Sequence, residues 1–200
     1  MRKNVIRRIE GLEDLKDLEE LELYDNKIES IANLEQLKNL KVLDLSYNNI
    51  KKIENLEELD KLKIIYLLSN RLTKIENIVN KPYLEQLELG SNKIERIENL
   101  DSLPSLNTLI IAKNHVKRIE NLDMISHIKV LNLTCNYIKK IENLEALADL
   151  EELYLAENQI EKIENLENNG KLEILDLSFN QISKIENISH LNLLTDLWVC

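Results

Sequence analysis

The stretch LKVLDLSYNNIKKIENLEELDK, residues 40–61, decides the fold because variants of it return along the whole chain. Its segment KKIENLE appears again at residues 139–145, and its tripeptide Ile-Glu-Asn occurs seven times at intervals of 22 residues. The seven copies begin at Ile53, Ile75, Ile97, Ile119, Ile141, Ile163 and Ile185. A single helix has no reason to repeat itself at that interval. The sequence therefore predicts a stack of similar structural units.

An asparagine that never varies sets the register of these units. It stands at Asn4, Asn26, Asn48, Asn70, Asn92, Asn114, Asn136, Asn158 and Asn180. Around it each unit reads L-x-x-L-x-L-x-x-N-x-I-x-x-I-x-x-L-x-x-L-x-x, which is the leucine-rich-repeat pattern. We predict a single domain over residues 1–200, with a partial first repeat at 1–17, eight 22-residue repeats at 18–193 and a truncated ninth strand at 194–200.

The spacing of the apolar residues predicts the local structure of each unit. Leu-x-Leu alternates like a strand with one buried face, while the later apolar residues, at intervals of three, favour 3₁₀ turns over an α-helix. Strands about 4.8 Å apart, with bulkier connections behind them, curve the stack and place the strands inside. The predicted fold class is an α/β-type repeat solenoid, a leucine-rich-repeat horseshoe with a concave parallel β-sheet and convex 3₁₀ or turn connections.

Two columns of asparagine are interpreted as architectural. The amide of the invariant asparagine can donate to and accept from backbone groups of neighbouring coils. We therefore predict a structural ladder made by Asn26, Asn48, Asn70, Asn92, Asn114, Asn136, Asn158 and Asn180. The asparagine of Ile-Glu-Asn is replaced only by Gly11, in the partial first copy. Because asparagine and glycine best tolerate positive φ, this second column predicts a left-handed turn.

Charged columns and two irregular repeats complete the pattern. The glutamates of Ile-Glu-Asn stack from coil to coil, and a basic column lies two residues before them. This basic column is Lys52, Lys74, Arg96, Arg118, Lys140, Lys162 and Lys184. We expect the two columns to form a solvated face of weak ion pairs. Lys81 and Asn169 replace an apolar residue and precede Pro82 and Gly170, which predicts a local loop at each site.

The composition argues against several classes of function. A formal net charge of −10 disfavours nonspecific binding of nucleic acid. Cys135 and Cys200 stand without a disulfide cluster, and the N-terminal residues contain no apolar run. These features predict an intracellular protein, nuclear or cytoplasmic or both, with no membrane segment. The histidines lie in three different columns, and no motif for a metal, a phosphate-binding loop or a nucleophile is present, so we expect no enzyme activity and no cofactor.

The outward-facing strand positions are the candidate binding surface. One column reads Glu22, Asp44, Tyr66, Glu88, Ile110, Asn132, Tyr154, Asp176 and Trp198, and the column two residues earlier reads Glu20, Val42, Ile64, Gln86, Thr108, Val130, Glu152, Ile174 and Asp196. These eighteen positions hold seven acids and no Lys or Arg, although basic residues number 26 of 200 overall. Aromatic anchors surrounded by charge are typical of protein interfaces, and the acidic sign predicts a basic patch on the partner.

Several off-consensus stretches carry a closer resemblance. LELYDNKI at residues 21–28, LELGSNKI at 87–94 and NLENNGKLEILDLSFNQISKIENISHL at 165–191 resemble the leucine-rich-repeat regulatory subunit 7 of protein phosphatase 1. The resemblance implies a non-catalytic subunit, monomeric on its own, that holds the phosphatase catalytic subunit in its concave face. By position it implies contacts at Asp44, Tyr66, Glu88, Asp176, Asp196 and Trp198, and Tyr154 belongs to the same column. Ile110 departs from the family, which has an aromatic there.

Two differences from that family and two rival classes of protein remain. Members of the family continue to a C-terminal cap, whereas Met1 begins within a repeat and Cys200 ends in a strand, so we expect a fragment, an incomplete gene model or a shortened member. The first rival is an intracellular adaptor for another protein client, spliceosomal or cytoskeletal. The second is a secreted bacterial or immune-type adhesin, which would need a signal peptide and disulfide-bonded caps.

Overall fold

The computed structural model describes residues 3–200, so residues 1 and 2 of the predicted partial first repeat lie outside the described residues. Within this range nine strands of three residues form one parallel sheet in chain order. They are β1 Glu20–Glu22, β2 Val42–Asp44, β3 Ile64–Tyr66, β4 Gln86–Glu88, β5 Thr108–Ile110, β6 Val130–Asn132, β7 Glu152–Tyr154, β8 Ile174–Asp176 and β9 Asp196–Trp198. The predicted parallel sheet of a leucine-rich-repeat solenoid is confirmed.

The core is a stack of leucine and isoleucine layers enclosed between the strands and the turns behind them. Leu109 at the centre of β5 and Leu131 at the centre of β6 are fully buried, as are Ile119 and Ile141 in the connections. Burying one such side chain is worth about 1.5–3 kcal/mol. Each layer is covered only by the coil above and the coil below, which is why a single repeat cannot fold alone.

Turns form the convex connections, and residues 3–200 contain no α-helix. In the second coil Leu37 N donates to Leu34 O and Leu40 N donates to Leu37 O, each at 2.9 Å. These bonds span three residues, as in a 3₁₀ helix, but each closes an isolated turn. The apolar residues also recur every three positions. Each successive turn therefore places one apolar side chain in the core. Of the predicted 3₁₀ or turn connections, the turn is the form observed.

The invariant asparagines tie each coil to the one before it. Asn48 is buried, and its Oδ1 accepts a hydrogen bond from Ile28 N of the preceding coil at 2.9 Å. Its Nδ2 lies 3.0 Å from Leu23 O of that coil and 3.0 Å from Leu45 O of its own. The same pattern is repeated at Asn70, Asn92, Asn114, Asn136, Asn158 and Asn180.

The second asparagine column is left-handed and forms another ladder. The asparagines from Asn33 to Asn187 have φ between 57° and 60°, and Gly11 in the same column has φ 75°, so the predicted turn is confirmed. In addition, each amide reaches the previous coil, as in the bond of 2.7 Å from Asn99 Nδ2 to Ile75 O. This bond explains why asparagine stands there more often than glycine, because glycine permits the turn but cannot bridge two coils.

Another left-handed column was not predicted. The residue immediately before each ladder asparagine has φ between 53° and 58°, whatever its type. These residues are Lys3, Asp25, Tyr47, Ser69, Ser91, Lys113, Cys135, Glu157 and Phe179. A positive φ is costly for bulky side chains. The ladder asparagine next in sequence stabilises the turn, because its amide donates to the carbonyl groups of the two residues before the bend, as Asn48 does to Leu45 O and Ser46 O at 3.0 and 3.2 Å.

The prediction of a local loop is wrong at Asn169, where Asn169 N closes the ordinary turn onto Leu166 O at 3.0 Å, but the backbone does depart from the other coils just before Lys81, where Asn80 has φ 54°. Both side chains are fully buried in the core column, and Leu84 N and Leu172 N close the ordinary turns onto residues 81 and 169 at 3.2 and 3.1 Å. In both cases the neighbouring coils keep the residue in its core column, so the polar side chain is buried. Asn169 Oδ1 consequently has no hydrogen-bond partner among the described residues.

Candidate protein-binding surface

The register of the sheet aligns the third residue of every strand into one continuous row. The row runs Glu22, Asp44, Tyr66, Glu88, Ile110, Asn132, Tyr154, Asp176 and Trp198. We call it the acidic-aromatic row. Six of the seven predicted contact residues lie in it, and the seventh, Asp196, opens β9 in the neighbouring row of first strand residues. A one-residue slip would turn all of them into the core.

The acidic and aromatic residues form two groups within the row. Asp44, Tyr66 and Glu88 occupy β2 to β4, and Tyr154, Asp176 and Trp198 occupy β7 to β9. Between the groups, β5 and β6 contribute the uncharged Ile110 and Asn132. The structure therefore brings the predicted residues onto one face, but in two clusters with two strands between them, so that β4 and β7 lie about 14 Å apart at ordinary strand spacing.

Three carboxylates of the row, those of Asp44, Glu88 and Asp176, use one oxygen for a bond within the protein. The bonds run from Ser46 N to Asp44 Oδ1 at 2.9 Å, from Gly90 N to Glu88 Oε1 at 2.8 Å, and from Ser178 N to Asp176 Oδ1 at 3.0 Å. Asn132 receives the same bond from Thr134 N at 3.0 Å. Each side chain thus caps the end of its strand with one oxygen. This local role was missed, although an acid or amide two residues before a small residue is a known turn signal.

Glu88 is the most enclosed acid of the row because of the glycine that follows it. A Cβ added to Gly90 would stand 2.6 Å from Glu88 Oε1 and 3.0 Å from Leu68 Cδ1, so only glycine lets the carboxylate fold back onto its own strand end. Burial raises the pKa of Glu88, and the hydrogen bond from Gly90 N opposes that shift. The ionised carboxylate is therefore held in place at some desolvation cost.

Tyr154 is locked into a pair with its neighbour on the same strand. Its hydroxyl donates to Glu152 Oε2 at 2.8 Å. Burial raises the pKa of Tyr154 to about 12, and the hydrogen bond and negative charge of Glu152 add to the shift. The phenol stays neutral at any physiological pH. This ring is consequently a rigid, half-buried apolar surface in the second cluster.

Trp198 is more open than the tyrosines of the row. It has a neighbouring strand on one side only, and 44% of its surface is exposed, whereas Tyr66 and Tyr154 are half-buried. Asp196, two residues earlier, is oriented by a hydrogen bond from Thr195 Oγ1 at 2.9 Å. The indole thus offers a large apolar surface beside oriented carboxylates.

Comparison with known families establishes the class of protein. A profile described as a leucine-rich repeat matches residues 3–110, and profiles of leucine-rich repeats also match residues 126–168 and 168–184. The chain belongs to the leucine-rich-repeat family. Such solenoids are typically non-enzymatic scaffolds for protein interactions, and the fold supports that class of role for this leucine-rich-repeat protein.

Solved structures show the same solenoid. The internalin InlF of Listeria monocytogenes is 28% identical with a TM-score of 0.82, and the match covers 96% of this chain and 57% of that one. A leucine-rich-repeat protein of Leptospira interrogans is 28% identical with a TM-score of 0.89, covering 94% and 50%. The internalin InlC2 of Listeria monocytogenes is 25% identical with a TM-score of 0.86, covering 93% and 83%. The chain thus spans little more than half the length of the first two. A comparison with curated protein sequences gives no match.

Neither a metal-ligand cluster nor a membrane-spanning helix occurs among the described residues of this leucine-rich-repeat protein. Residues 3–200 hold no group of three or more His, Cys, Asp or Glu side chains arranged for a metal ion. Over the same residues, no helix has the length and apolar character of a membrane span.

Exposed aromatic residues beyond the strand ends extend the candidate surface of this leucine-rich-repeat protein. The rings of Tyr24 and Tyr47 pack with centroids 4.9 Å apart, and Phe179 is 73% exposed. Tyr47 and Phe179 both stand in the unpredicted left-handed column, which points them outward beside the acidic-aromatic row. The sequence shows these aromatics one residue before the ladder asparagine, but their outward direction follows from the backbone conformation.

Proposed function

We propose that the protein is a non-catalytic regulatory or scaffolding subunit that binds the catalytic subunit of protein phosphatase 1 through the acidic-aromatic row. The observation that carries the proposal is the single in-register row in which acids alternate with Tyr66, Tyr154 and Trp198 and no basic residue occurs. The closer resemblance in sequence supports the choice of partner at these same positions. An intracellular location, nuclear or cytoplasmic or both, forms part of the proposal.

The geometry favours binding without much rearrangement. One oxygen of Asp44, Glu88 and Asp176 is bonded to the backbone, which orients the second oxygen toward a basic partner. Tyr154 is likewise fixed by Glu152. Because these side chains are already ordered in the free protein, they lose less conformational entropy when the complex forms. Charge then supplies orientation and association rate, and the aromatic rings supply affinity.

The alternative is a scaffold of the same class with another protein client, spliceosomal or cytoskeletal. It is favoured by the fact that the family and the solenoid support protein interaction in general. Titration of the purified protein with the purified phosphatase catalytic subunit separates the two candidates. Saturable one-to-one binding is expected from the first, and absence of binding supports the second.

Affinity for the phosphatase is expected to fall as salt rises. The exposed parts of the seven acids face basic residues of the partner across partly hydrated contacts. Dissolved salt weakens such contacts, since the Debye length is only about 10 Å at 0.1 M salt. Calorimetric titration at low and high sodium chloride concentration measures the change. An affinity that does not depend on salt would contradict a role for the acids in binding.

Replacing Trp198 by alanine is expected to weaken phosphatase binding at least about tenfold, because an aromatic anchor beside oriented carboxylates commonly dominates an interface. Glu120→Ala is the control. Glu120 lies on the convex face and pairs with Arg96 at 3.0 Å, so its loss is expected to leave binding nearly unchanged. Equal and small effects of both substitutions, on proteins shown to be folded, would refute the concave-face proposal and favour an unknown client.

A further inference from the structure

A groove on the flank of the solenoid collects positive charge from three successive coils. The groove has a volume of about 550 Å³ and lies among residues that follow the ladder asparagines by one to six positions. Its cationic side chains are Lys51, Lys52, Arg71, Lys74 and Lys93, and the rest of its lining is Thr73 and Glu76. We call it the flank groove. It is distinct from the acidic-aromatic row and opposite to it in charge.

The cations of the flank groove are not neutralised by the protein. None of the five makes an ion pair with any residue between 3 and 200. Arginines of the same basic column behave differently, since Arg96 pairs with Glu120 at 3.0 Å and Arg118 pairs with Glu142 at 3.1 Å. The planar guanidinium reaches the glutamate of the next coil, whereas the lysines at the equivalent positions do not. Lys52 and Lys74 therefore make no ion pair within residues 3–200, whereas Lys184 of the same column pairs with Glu186 of its own coil at 2.8 Å.

The positive potential is local rather than a continuous stripe along the flank. Beyond the groove, Glu95 occupies the column of Lys51, and Arg96 and Arg118 are engaged by glutamates. A second groove, lined by Lys117, Lys139 and Lys140, already contains the pair of Arg118 and Glu142. A long extended polyanion would need uninterrupted charge across these coils. The flank groove instead fits a ligand no longer than about three coils.

We propose that the flank groove binds a compact, soluble anion that carries several phosphate groups. Lysine and arginine are the side chains that hold phosphate by charge-assisted hydrogen bonds. Five of them around about 550 Å³, against one carboxylate, match a small ligand of high charge density. The lining within the described chain contains no apolar side chain, which favours a free phosphate compound over a lipid headgroup that brings a bilayer surface with it.

The test is a calorimetric titration with inositol hexakisphosphate at constant ionic strength. Replacing Arg71 and Lys74 together by alanine is expected to weaken binding at least about tenfold, because both are exposed, unpaired and within the groove. The matched control replaces Lys162 and Lys184 by alanine. These two residues belong to the basic column but share their part of the flank with Glu161 and Glu186. The control is expected to retain the affinity within about twofold.

Four results would overturn the proposal. They are no binding of inositol hexakisphosphate, an equal loss in both double variants, equal affinity for hexaglutamate, and binding to vesicles containing phosphatidylinositol bisphosphate that exceeds binding of the soluble compound. An equal loss would mean attraction to overall charge, and hexaglutamate binding would mean an acidic peptide site. Preference for the vesicles would assign the groove to a lipid headgroup. Thermal unfolding of each variant, expected to match the unsubstituted protein, confirms that the fold is intact.

Discussion

Replacing Asn48 by alanine is expected to lower the free energy of unfolding by about 3–4 kcal/mol, whereas replacing the adjacent Asn49 is expected to change it by less than about 0.5 kcal/mol. The two residues are neighbours in the same coil and have the same chemistry. Asn48 is buried and bonded to two coils, while the side chain of Asn49 makes no hydrogen bond within the described chain.

The expected loss follows from what alanine leaves behind. Asn48 Oδ1 is the acceptor for Ile28 N, which has no other acceptor among residues 3–200. A buried N–H without a partner costs about 1–3 kcal/mol, and the lost amide bonds and the small cavity add to it. The carbonyl oxygens of Leu23 and Leu45 each lose one hydrogen bond but keep another. Leu23 O still accepts from Asn26 Nδ2, and Leu45 O still accepts from Asn70 Nδ2.

Urea unfolding followed by circular dichroism measures both variants. A solenoid is held together by contacts between nearest neighbours, so damage at one coil boundary also lowers cooperativity, and we expect a smaller urea dependence for Asn48→Ala. Similar unfolding free energies for the two alanine variants would show that the ladder bonds are replaceable by water and are not structural determinants.

Replacing Lys81 by methionine is expected to raise the free energy of unfolding by about 1–3 kcal/mol at neutral pH. Lys81 occupies a column filled elsewhere by residues such as Leu59 and Leu103, and it is fully buried. Its ammonium donates one hydrogen bond of 3.3 Å, to Glu57 O. Methionine keeps the unbranched shape and removes the charge. Lys81→Ala is the control, and it is expected to destabilise because it opens a cavity.

The pH dependence of this gain has a defined sign. Burial lowers the pKa of Lys81 from its ordinary value of 10.5, and the carboxylates of Asp60, Glu57 and Glu58 only partly oppose the shift. Between the lowered pKa and 10.5 the unfolded chain binds a proton that the folded chain does not, so the stability of the unsubstituted protein rises with pH. The advantage of Lys81→Met is therefore largest below the lowered pKa and shrinks as pH approaches 10.5.

Urea midpoints of both proteins across the neutral and alkaline range measure this difference. Parallel curves would mean that the ammonium reaches solvent in the folded state and that burial does not govern its pKa. A methionine variant less stable than the unsubstituted protein would mean that the bond to Glu57 O outweighs the cost of the buried charge.

The fold and the main rows could be predicted from the sequence because every coil obeys the same local rule. Leu-x-Leu specifies a strand with one buried face, and its repetition every 22 residues aligns the strands in parallel. The left-handed turn at Asn33 and its equivalents followed from the exchange of asparagine with Gly11. The row that contains Asp44, Tyr66 and Trp198 followed from the same period, since equal spacing places equivalent residues side by side.

Contacts between coils decided what the sequence left open. Lys81 and Asn169 are polar residues in an apolar column, yet the neighbouring coils bury both, at Lys81 despite a left-handed Asn80 just before it. The outward direction of Tyr47 and Phe179 depends on a bend that their side chains do not favour and that the next asparagine stabilises. Arginine and lysine look equivalent in the basic column, but Arg96 and Arg118 pair with the glutamate of the next coil, whereas Lys184 pairs with Glu186 of its own coil. Periodicity in a sequence thus determines the path of the chain, whereas the distances between successive coils determine which polar groups find partners.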